Sequence, residues 1–364
     1  MHEKDFIPAE IEVMTDRGSA SWRAPSNIAL VKYWGKYEGQ IPANPSLSFT
    51  LSASHTTTTT HFRKQSGTAS FPTFDLLFEG KVKADFNPKV RSFFERIIPY
   101  SPWLKDFHLE INTENSFPHS SGIASSASSM AALSLCVLEM ERLLYPSMTD
   151  DVFLRKASFL ARLGSGSACR SVEGPLVSWG QHEKISAGSD LFGTVYRGSV
   201  HEVFRDYRDT ILLVHKGQKT VSSTAGHSLM KDHHYAKQRF SQAHSNLSLL
   251  LDVLENGDLE GFARIVESEA LSLHAMMMTS IPYYLLMKPN TLAIIEKIWE
   301  FRKETEESLC FTLDAGANVH LLYPANREDK VLQFIKNELV AYCQKGQYIC
   351  DQSGQGAKKL ESAV

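Results

Sequence analysis

A segment rich in glycine and serine, GSGSACR at residues 164–170, is one place where the sequence could do chemistry. Ser165 and Ser167 supply hydroxyl groups, and the neighbouring glycines, including Gly166, leave backbone amides accessible. Arg170 adds a guanidinium that can hold a carboxylate or a phosphate with two hydrogen bonds at once. The segment therefore predicts a binding site for an anion.

A second segment of this kind is FPHSSGIASSA, residues 117–127, which leads into an Ala/Leu-rich stretch that reads as a helix. The free N–H groups and the dipole at a helix N-terminus favour phosphate. Serine is also an ordinary N-cap, so this loop alone leaves both interpretations open. The sequence has neither GxxxxGK[ST] nor GxGxxG, which argues against a Walker loop and a dinucleotide fingerprint.

Two further segments place reactive side chains at the ends of apolar stretches. NIALVKYWGK, residues 27–36, gathers Asn27, Lys32, Tyr33 and Lys36 within ten residues at the end of a strand. FTLDAGANVH, residues 311–320, carries Asp314 after an apolar strand, where a carboxylate either caps a turn or does acid/base work.

Composition excludes several classes of protein. A chain of 364 residues is expected to form two domains or one large one. Hydrophobic residues at 43% and charged residues at 22% are typical of a globular protein with a sizeable core. Because 38 Lys and Arg residues nearly balance 41 Asp and Glu residues, we expect neither nucleic-acid nor membrane binding.

The N-terminal residues contain no apolar run of signal-peptide length, and the most apolar stretch, MAALSLCVLEM, is about half of what a membrane crossing needs. Cytoplasmic localisation is therefore expected. The five cysteines are scattered and form no CxxC pair, so we expect free thiols and no metal centre built from protein ligands.

The order of the elements indicates an α+β protein. Strand-like segments rich in β-branched residues, among them the five-threonine run, precede the helices of the first half, and the second half has a strand followed by long helices. Residues 309–324 read as one apolar strand, and residues 194–204 read as another. We expect a domain boundary near residue 205, giving domains of 1–205 and 206–364, the second ending in a polar, mobile tail.

Taken together, these segments resemble one family. The chain has NIALVKYWGK, FPHSSGIASSA, GSGSACRS, VSSTAG and DAGAN in this order, and this pattern is similar to that of the diphosphomevalonate decarboxylases of the GHMP kinase superfamily. The resemblance spans residues 22 to about 323. KYWGK and GSGSACRS are its most specific parts.

The resemblance implies a fold and a reaction. The fold would be GHMP kinase-like, with an N-terminal domain similar to domain 2 of ribosomal protein S5, a ferredoxin-like C-terminal domain and an active site between them. The reaction would be ATP- and magnesium-dependent decarboxylation of 5-diphosphomevalonate to isopentenyl diphosphate, ADP, phosphate and CO2. A homodimer is expected, because superfamily relatives often form one.

The resemblance also implies roles for individual residues. Asp314 would face the 3-hydroxyl with Lys32 close by, and Arg170 would grip the substrate carboxylate. Asn27 and Ser126 would orient the reacting groups. The predicted ATP-binding loop comprises Pro118, Ser120, Ser121, Gly122, Ala124, Ser125 and Ser126. The substrate's diphosphate and neighbouring groups would be held by Tyr33, Lys36, Ser165, Gly166, Ser167, Arg170 and Ser223.

Several positions depart from the usual pattern of the family, among them the phosphate loop, which reads His119-Ser120-Ser121 where other small residues are familiar. Tyr37 stands where a basic residue is common, Gln218 replaces one of two basic residues, and His227 replaces a methionine. The alternatives are a related enzyme acting on mevalonate or 5-phosphomevalonate, as a 3-kinase or a phosphomevalonate decarboxylase, and a non-enzymatic binding protein of the same fold. The last would be expected to lose Lys32, Arg170 or Asp314.

Overall fold

The computed structural model describes residues 1–8, 15–65, 70–118, 123, 125–217 and 221–361. In this part of the chain the strands form two sheets, one of eight strands and one of four, and helices pack against both. This arrangement confirms the expected α+β class.

The larger sheet is dominated by two long antiparallel strands, and its strands run in the order β12-β1-β2-β5-β3-β4, with β6 beside β2 and β7 beside β6. The threonine run lies in β2, where Thr56, Thr58 and Thr60 are buried and the threonines between them are half-buried, as expected of a strand with one face on a core. The strands are β1 (Arg17–Val31), β2 (Ser46–Lys64), β3 (Thr73–Phe78), β4 (Lys81–Val82), β5 (Phe107–Asn115), β6 (Leu176–Trp179), β7 (Thr194–Val195) and, from the far end of the chain, β12 (Lys358–Leu360).

Three helices cover this sheet: α1 (Asn87–Ile97), α2 (Ser125–Leu144) and α3 (Asp150–Gly164). α1 turns Phe93, Phe94 and Ile97 into the same core as Phe62 of β2, because apolar residues three and four apart share one face of a helix. The sequence predicts α3 from DDVFLRKASFLARL, residues 150–163, with Thr149 or Asp150 as the cap and Gly164 as the end, and the structure confirms this helix. The Thr149 side chain accepts a hydrogen bond from the backbone N–H of Val152 at its start.

The smaller sheet has four antiparallel strands in the order β11-β8-β10-β9. Helices connect β8 to β9 and β10 to β11, which gives the β-α-β-β-α-β order of a ferredoxin-like fold and confirms that expectation. The strands are β8 (Tyr207–Leu212), β9 (Cys310–Leu313), β10 (Val319–Pro324) and β11 (Tyr348–Gln352), and the helices are α4 (Ser223–Ser228), α5 (Ala236–Asn256), α6 (Leu259–Met278), α7 (Pro289–Thr305) and α8 (Glu328–Phe334).

Two predicted strands were wrong in extent. The apolar segment 309–324 forms two antiparallel strands, β9 and β10, because Gly316 and Asn318 interrupt it at a turn. Asp314 therefore lies at the turn of a hairpin. The segment 194–204 pairs only at Thr194–Val195, since Gly198 follows and a short 3-10 helix occupies Glu202–Phe204.

The C-terminal segment differs from the mobile polar tail that was expected. It crosses back to the larger sheet, where β12 pairs antiparallel with residues 21–23 of β1. Two glycines permit this path: a Cβ on Gly354 would lie 2.7 Å from the backbone nitrogen of Ser52, and one on Gly356 would lie 2.7 Å from the Cα of Glu173. Among the described helices, none combines the length and apolar character needed to cross a membrane.

Candidate active site

A cavity of about 590 Å³ lies where elements of both halves of the chain meet. The end of β1, the start of α2, the 3-10 helix Gly166–Ser171, α4, α6 and the β9–β10 turn all contribute to its lining. The four reactive segments of the sequence therefore converge on one site. The predicted site residues that line it are Asn27, Lys32, Tyr33, Lys36, Ser125, Ser126, Ser165, Gly166, Ser167, Arg170, Ser223 and Asp314.

The predicted ATP loop is covered only in part. Ser125 and Ser126 line the cavity at the first turn of α2, whereas Pro118 is exposed and is not among the lining residues. Four predicted members of the loop lie outside the described residues: Ser120, Ser121, Gly122 and Ala124.

The charge of the cavity is strongly one-sided. Its described lining contains five lysine or arginine side chains and one carboxylate, that of Asp314. Such an excess of cations focuses a positive field into a cleft and attracts anions. The cavity therefore fits a ligand with several negative charges, and the cations are Lys32, Lys36, Lys89, Arg96 and Arg170.

The central contact of the site is the pair formed by Lys32 and Asp314. The Lys32 ammonium is buried, donates a hydrogen bond to the Ala29 carbonyl at 2.7 Å and lies 3.4 Å from Oδ1 of Asp314. The Asp314 side chain is 24% exposed, so it can still reach a ligand. Burial lowers the pKa of Lys32 below its ordinary value, and the Asp314 carboxylate acts in the opposite direction.

Arg170 is held rigidly at the wall of the cavity. Its Nη1 donates to the Ser46 hydroxyl and its Nη2 to Oδ1 of Asn27 at 3.5 Å, and the guanidinium lies 5.8 Å from the ring centroid of Trp179. Its buried Nε has no hydrogen-bond partner in the described part of the chain. Burial lowers the pKa of Arg170, but an arginine keeps its charge in proteins. A fixed, incompletely paired guanidinium is suited to bind an anion.

Asn27 lies behind Arg170. Its amide nitrogen donates to the Ser171 hydroxyl at 2.8 Å and to the Ser167 carbonyl at 3.2 Å, while its oxygen accepts from Arg170. In this arrangement Asn27 anchors the 3-10 helix and the guanidinium. A direct contact between Asn27 and a reacting group stays a prediction.

The glycine and serine segment approaches the cavity closely. A Cβ on Gly166 would lie 2.8 Å from the Tyr33 hydroxyl and 2.9 Å from the Trp179 ring, so only glycine fits there without displacement. The Ser165 hydroxyl lies 3.3 Å from that of Ser126, which joins this segment to the start of α2.

Helix α1 supplies two cations that the sequence reasoning missed. Lys89 and Arg96 both line the cavity, and they are seven residues apart, about two helical turns, so they lie on one face. The Lys36 ammonium donates to the Gln40 side chain; burial lowers its pKa, and the positive charge of Arg96 lowers it further. Asn87-Pro88 and the apolar spacing of α1 were the signals that could have revealed this helix.

His227, which the sequence singled out only as a departure from the family pattern, is an aromatic part of the wall. Its ring lies 4.3 Å from that of Tyr33 and 4.4 Å from that of Trp34, and its Nδ1 accepts the backbone N–H of Gly35. Burial, helped by the charge of Lys36, lowers the pKa of His227 to about 3. The imidazole is therefore neutral near pH 7 and adds no charge to the cavity.

This shift predicts a pH-dependent stability. The native pKa of His227 lies below that of an unfolded histidine. Below about pH 6.5 the unfolded chain therefore binds a proton that the native state does not bind, and the free energy of unfolding decreases as the pH is lowered. We expect His227→Met to reduce the loss of unfolding free energy between pH 6.5 and 5.5 by about 1 kcal/mol, measured by urea denaturation. His61→Gln, at an exposed histidine, is the control and should leave the loss unchanged. An equal loss in the parent and in His227→Met would contradict the assignment.

A smaller apolar pocket of about 110 Å³ adjoins the main cavity. The two share Lys89, Ser125 and Ser126, and the pocket is otherwise lined mainly by apolar side chains such as Leu76, Val90, Met130 and Leu133. A polar, cationic chamber beside an apolar slot suits a ligand with a charged chain and a flat hydrophobic group.

One group of possible metal ligands occurs in the described part of the chain: His182, Glu183 and His244. It lies outside the cavity. The His182 Nδ1 accepts the backbone N–H of Lys184 and its Nε2 lies 3.2 Å from the His244 carbonyl, while Glu183 pairs with His244 at 3.1 Å. Hydrogen bonds within the protein account for this cluster.

Comparisons with known proteins agree over most of the chain. The sequence model of the diphosphomevalonate decarboxylase-like N-terminal domain matches residues 24–191, and that of the mevalonate 5-diphosphate decarboxylase C-terminal domain matches residues 210–363. The diphosphomevalonate decarboxylase of Aspergillus fumigatus is 31% identical over 87% of this chain and 80% of its own. The phosphomevalonate decarboxylase of Haloferax volcanii is 26% identical over 86% of this chain and 89% of its own.

A similarity to solved structures extends to the fold. The structure of MDDEF in complex with MVAPP, AMPPCP and magnesium superposes with a TM-score of 0.80 at 25% identity, covering 95% of this chain and 100% of that one. The GHMP kinase-like fold implied by the sequence motifs is thereby confirmed. On this evidence the chain belongs to the diphosphomevalonate decarboxylase family.

Proposed function

We propose that this protein catalyses the ATP-dependent decarboxylation of 5-diphosphomevalonate, giving isopentenyl diphosphate, ADP, phosphate and CO2. The observation that carries the proposal is the cavity in which four further cations line the same wall as the Lys32–Asp314 pair. The substrate has a carboxylate and a diphosphate, and ATP adds a triphosphate, so a site for both must be strongly cationic. Membership of the family supports the same reaction.

In the proposed reaction Asp314 acts on the tertiary 3-hydroxyl. Its partly exposed carboxylate accepts the hydroxyl proton as the oxygen attacks the terminal phosphorus of ATP, and the bond from that phosphorus to ADP breaks. Phosphate is a better leaving group than hydroxide. Its departure from C3 draws the electron pair of the bond between C1 and C2, so CO2 is released and the double bond forms. Lys32 holds Asp314 in place through their ion pair, and its positive charge stabilises the negative charge of the transferred phosphoryl group.

Arg170 is the residue best placed to bind the substrate carboxylate. Its guanidinium is buried and fixed by Ser46 and Asn27, so the carboxylate meets a preorganised donor. Orientation of this group matters because the bond between C1 and C2 must align with the departing phosphate for decarboxylation.

The diphosphate of the substrate fits the side of the cavity formed by Lys36, Arg96, Ser165 and Ser167. Arg96 and Lys36 are like charges close enough to influence one another, an arrangement that an anion between them stabilises. Arg96 also compensates for the missing basic residue at Tyr37, which is 63% exposed and does not line the cavity. The positions of Gln218 and Lys219 lie outside the described residues.

ATP fits the other side, with its base in the apolar pocket and its phosphates toward Ser125, Ser126 and Lys89. Magnesium keeps most of its ligands among waters and phosphates, and the hydroxyl oxygens of Ser125 and Ser126 and the Asp314 carboxylate are among the protein oxygens that would hold it. When bound, the ion neutralises the charge of the transferred phosphoryl group. The complex of MDDEF with MVAPP, AMPPCP and magnesium supports this pair of ligands.

A second candidate is decarboxylation of the 5-monophosphate. The similarity to the Haloferax volcanii enzyme favours it, as do the departures at Tyr37 and Gln218, which remove positive charge from the family pattern. Arg96 and Lys36 together favour the diphosphate, since two cations and two serine hydroxyls exceed what one phosphate needs.

One assay distinguishes the candidates. Release of ADP, phosphate and CO2 is measured with mevalonate, its 5-phosphate and its 5-diphosphate in turn. We expect equal amounts of the three products and a kcat/KM at least about tenfold higher for the diphosphate, a difference of about 1.4 kcal/mol. A tenfold preference for the monophosphate would select the second candidate, and ADP release without CO2 would identify a 3-kinase.

We further propose a boundary between domains near residue 205, a homodimer and a cytoplasmic location. The matched domain models flank residue 205, and, apart from β12, the strands of the larger sheet precede this residue and those of the smaller sheet follow it. All five cysteines are free, as is common in a reducing compartment. Light scattering on the purified protein tests the dimer, which would give about twice the mass of 40.8 kDa.

A further inference from the structure

The two members of the Lys32–Asp314 pair come from opposite ends of the chain. Lys32 follows β1 of the larger sheet, and Asp314 lies at the β9–β10 turn of the smaller one. Their 3.4 Å separation therefore depends on how the two halves are held against each other. Helix α6 contacts both residues through side chains that do not line the cavity.

Glu269 of α6 holds the Lys32 side of the pair. Its carboxylate is fully buried, and Oε2 accepts the backbone N–H of Lys32 at 2.8 Å. Arg239 donates to both of its oxygens, and Asn246 donates to Oε1 at 2.7 Å. Four donors thus occupy the acceptor sites of one carboxylate. Replacing one oxygen by NH2 would set a donor against a donor.

His274, on the same helix, holds the Asp314 side. Its Nε2 lies 3.1 Å from the Asp314 carbonyl oxygen, and since a carbonyl only accepts, Nε2 donates. The residue is 1% exposed, and Leu273 beside it lines the cavity. A single helix therefore fixes the backbone at both Lys32 and Asp314.

We propose that Glu269 and His274 are positioning residues, through which α6 aligns the Lys32 ammonium with the Asp314 carboxylate. This inference rests on the proposed function of that pair. Misplacement of a reacting group by about 1 Å can cost roughly 100-fold in rate. The rigid contacts of α6 thus set the rate without touching substrate.

Glu269 also places a negative charge next to Lys32. The charged groups that face this ammonium are Asp314 from the β9–β10 turn, Glu269 from α6, Arg170 from the 3-10 helix, and His320 of β10, which is paired with Asp209 of β8 at 2.8 Å. The carboxylates favour the ammonium form and Arg170 opposes it. Removing the Glu269 charge therefore makes Lys32 lose its proton at lower pH.

The test compares Glu269→Gln with Glu267→Gln. Glu267 is a matched control on the same helix, because it is also buried and ion-paired. It contacts Arg302 and Trp299 of α7 and the backbone N–H of Phe311 in β9, but neither Lys32 nor Asp314. We expect Glu269→Gln to lower kcat at least about tenfold with KM changed less than about threefold. In the pH profile of kcat, the decrease on the alkaline side should occur at lower pH in Glu269→Gln than in the parent, because Lys32 loses its proton at lower pH. Glu267→Gln should lose stability only.

The proposal is overturned by two outcomes: a Glu269→Gln enzyme with parental kcat and alkaline limb, or an equal loss of kcat in Glu267→Gln. A second pair of variants covers the event that Glu269→Gln does not fold. His274→Leu should lower kcat at least about tenfold, and His274→Gln, whose amide can reach the position of Nε2, should recover most of it. Equal activity of the two His274 variants would also overturn the proposal.

Both comparisons are made with whichever mevalonate derivative the parent turns over. If that derivative is not the diphosphate, the substrate assignment fails while the ratio of Glu269→Gln to Glu267→Gln still tests positioning. If the diphosphate is turned over and this ratio is near one, positioning fails while the substrate assignment stands.

Discussion

Asp314→Asn is expected to lower both kcat and kcat/KM at least about 100-fold while the dissociation constants of both substrates change less than about threefold. The amide is nearly isosteric, but it cannot accept the proton of the 3-hydroxyl, and the Lys32 ammonium 3.4 Å away loses its counter-ion. The substitution therefore raises the free energy of the transition state and leaves that of the bound substrates nearly unchanged. Steady-state ADP release together with equilibrium binding of each substrate measures it.

Asp329→Asn, an exposed acidic residue on α8, serves as the control and should be fully active. Thermal unfolding of both variants checks that the fold is kept. If Asp314→Asn retains more than about a tenth of the parental kcat, the carboxylate is not the proton acceptor.

Arg170→Lys is expected to reduce kcat/KM by about 30-fold, or about 2 kcal/mol. Lysine keeps the positive charge but presents a single ammonium, which cannot reproduce the contacts to Ser46, Asn27 and a substrate carboxylate together. The loss should appear with every substrate that has the C1 carboxylate. Initial-rate kinetics with mevalonate, its 5-phosphate and its 5-diphosphate measure this loss.

The matched control is Arg162→Lys. Arg162 is equally buried and donates to the Leu191 and Gly39 carbonyls, but it does not line the cavity. We expect it to lower the melting temperature with little change in kcat/KM. Comparable kinetic losses in the two variants would mean that Arg170 acts through the fold and not through the carboxylate.

The sequence pointed to many of the residues that line the cavity because they lie in short continuous segments. KYWGK and GSGSACR each place several groups at fixed spacing, so local geometry alone brings Lys32 near Lys36 and Ser165 near Arg170. Asp314 drew attention because a carboxylate directly after an apolar strand either caps a turn or does acid/base work. The long strands and α3 followed from periodicity and from the cap at Thr149.

What escaped prediction depends on contacts between distant segments. Lys89 and Arg96 look like ordinary surface cations of an amphipathic helix, and only the packing of α1 against α3 turns them toward the cavity. Glu269 and His274 appear in α6 without any motif, since their partners lie 237 and 40 residues away. The turn within 309–324 was missed because strong apolar runs on both sides masked Gly316 and Asn318.

The return of the chain to its first sheet has a consequence for synthesis on the ribosome. Residues 21–23 of β1 receive their hydrogen-bonding neighbour on one side only when residues 358–360 have been made. Domains generally fold as units from the N-terminus during translation, yet this strand edge stays open until residues 358–360 have left the ribosome. The Lys359 ammonium also donates a hydrogen bond to Glu139 of α2, at 2.6 Å. Formation of β12 therefore adds a contact to α2 as well as to β1. Closing this edge of the larger sheet thus requires a segment that is made after all the strands of the smaller sheet.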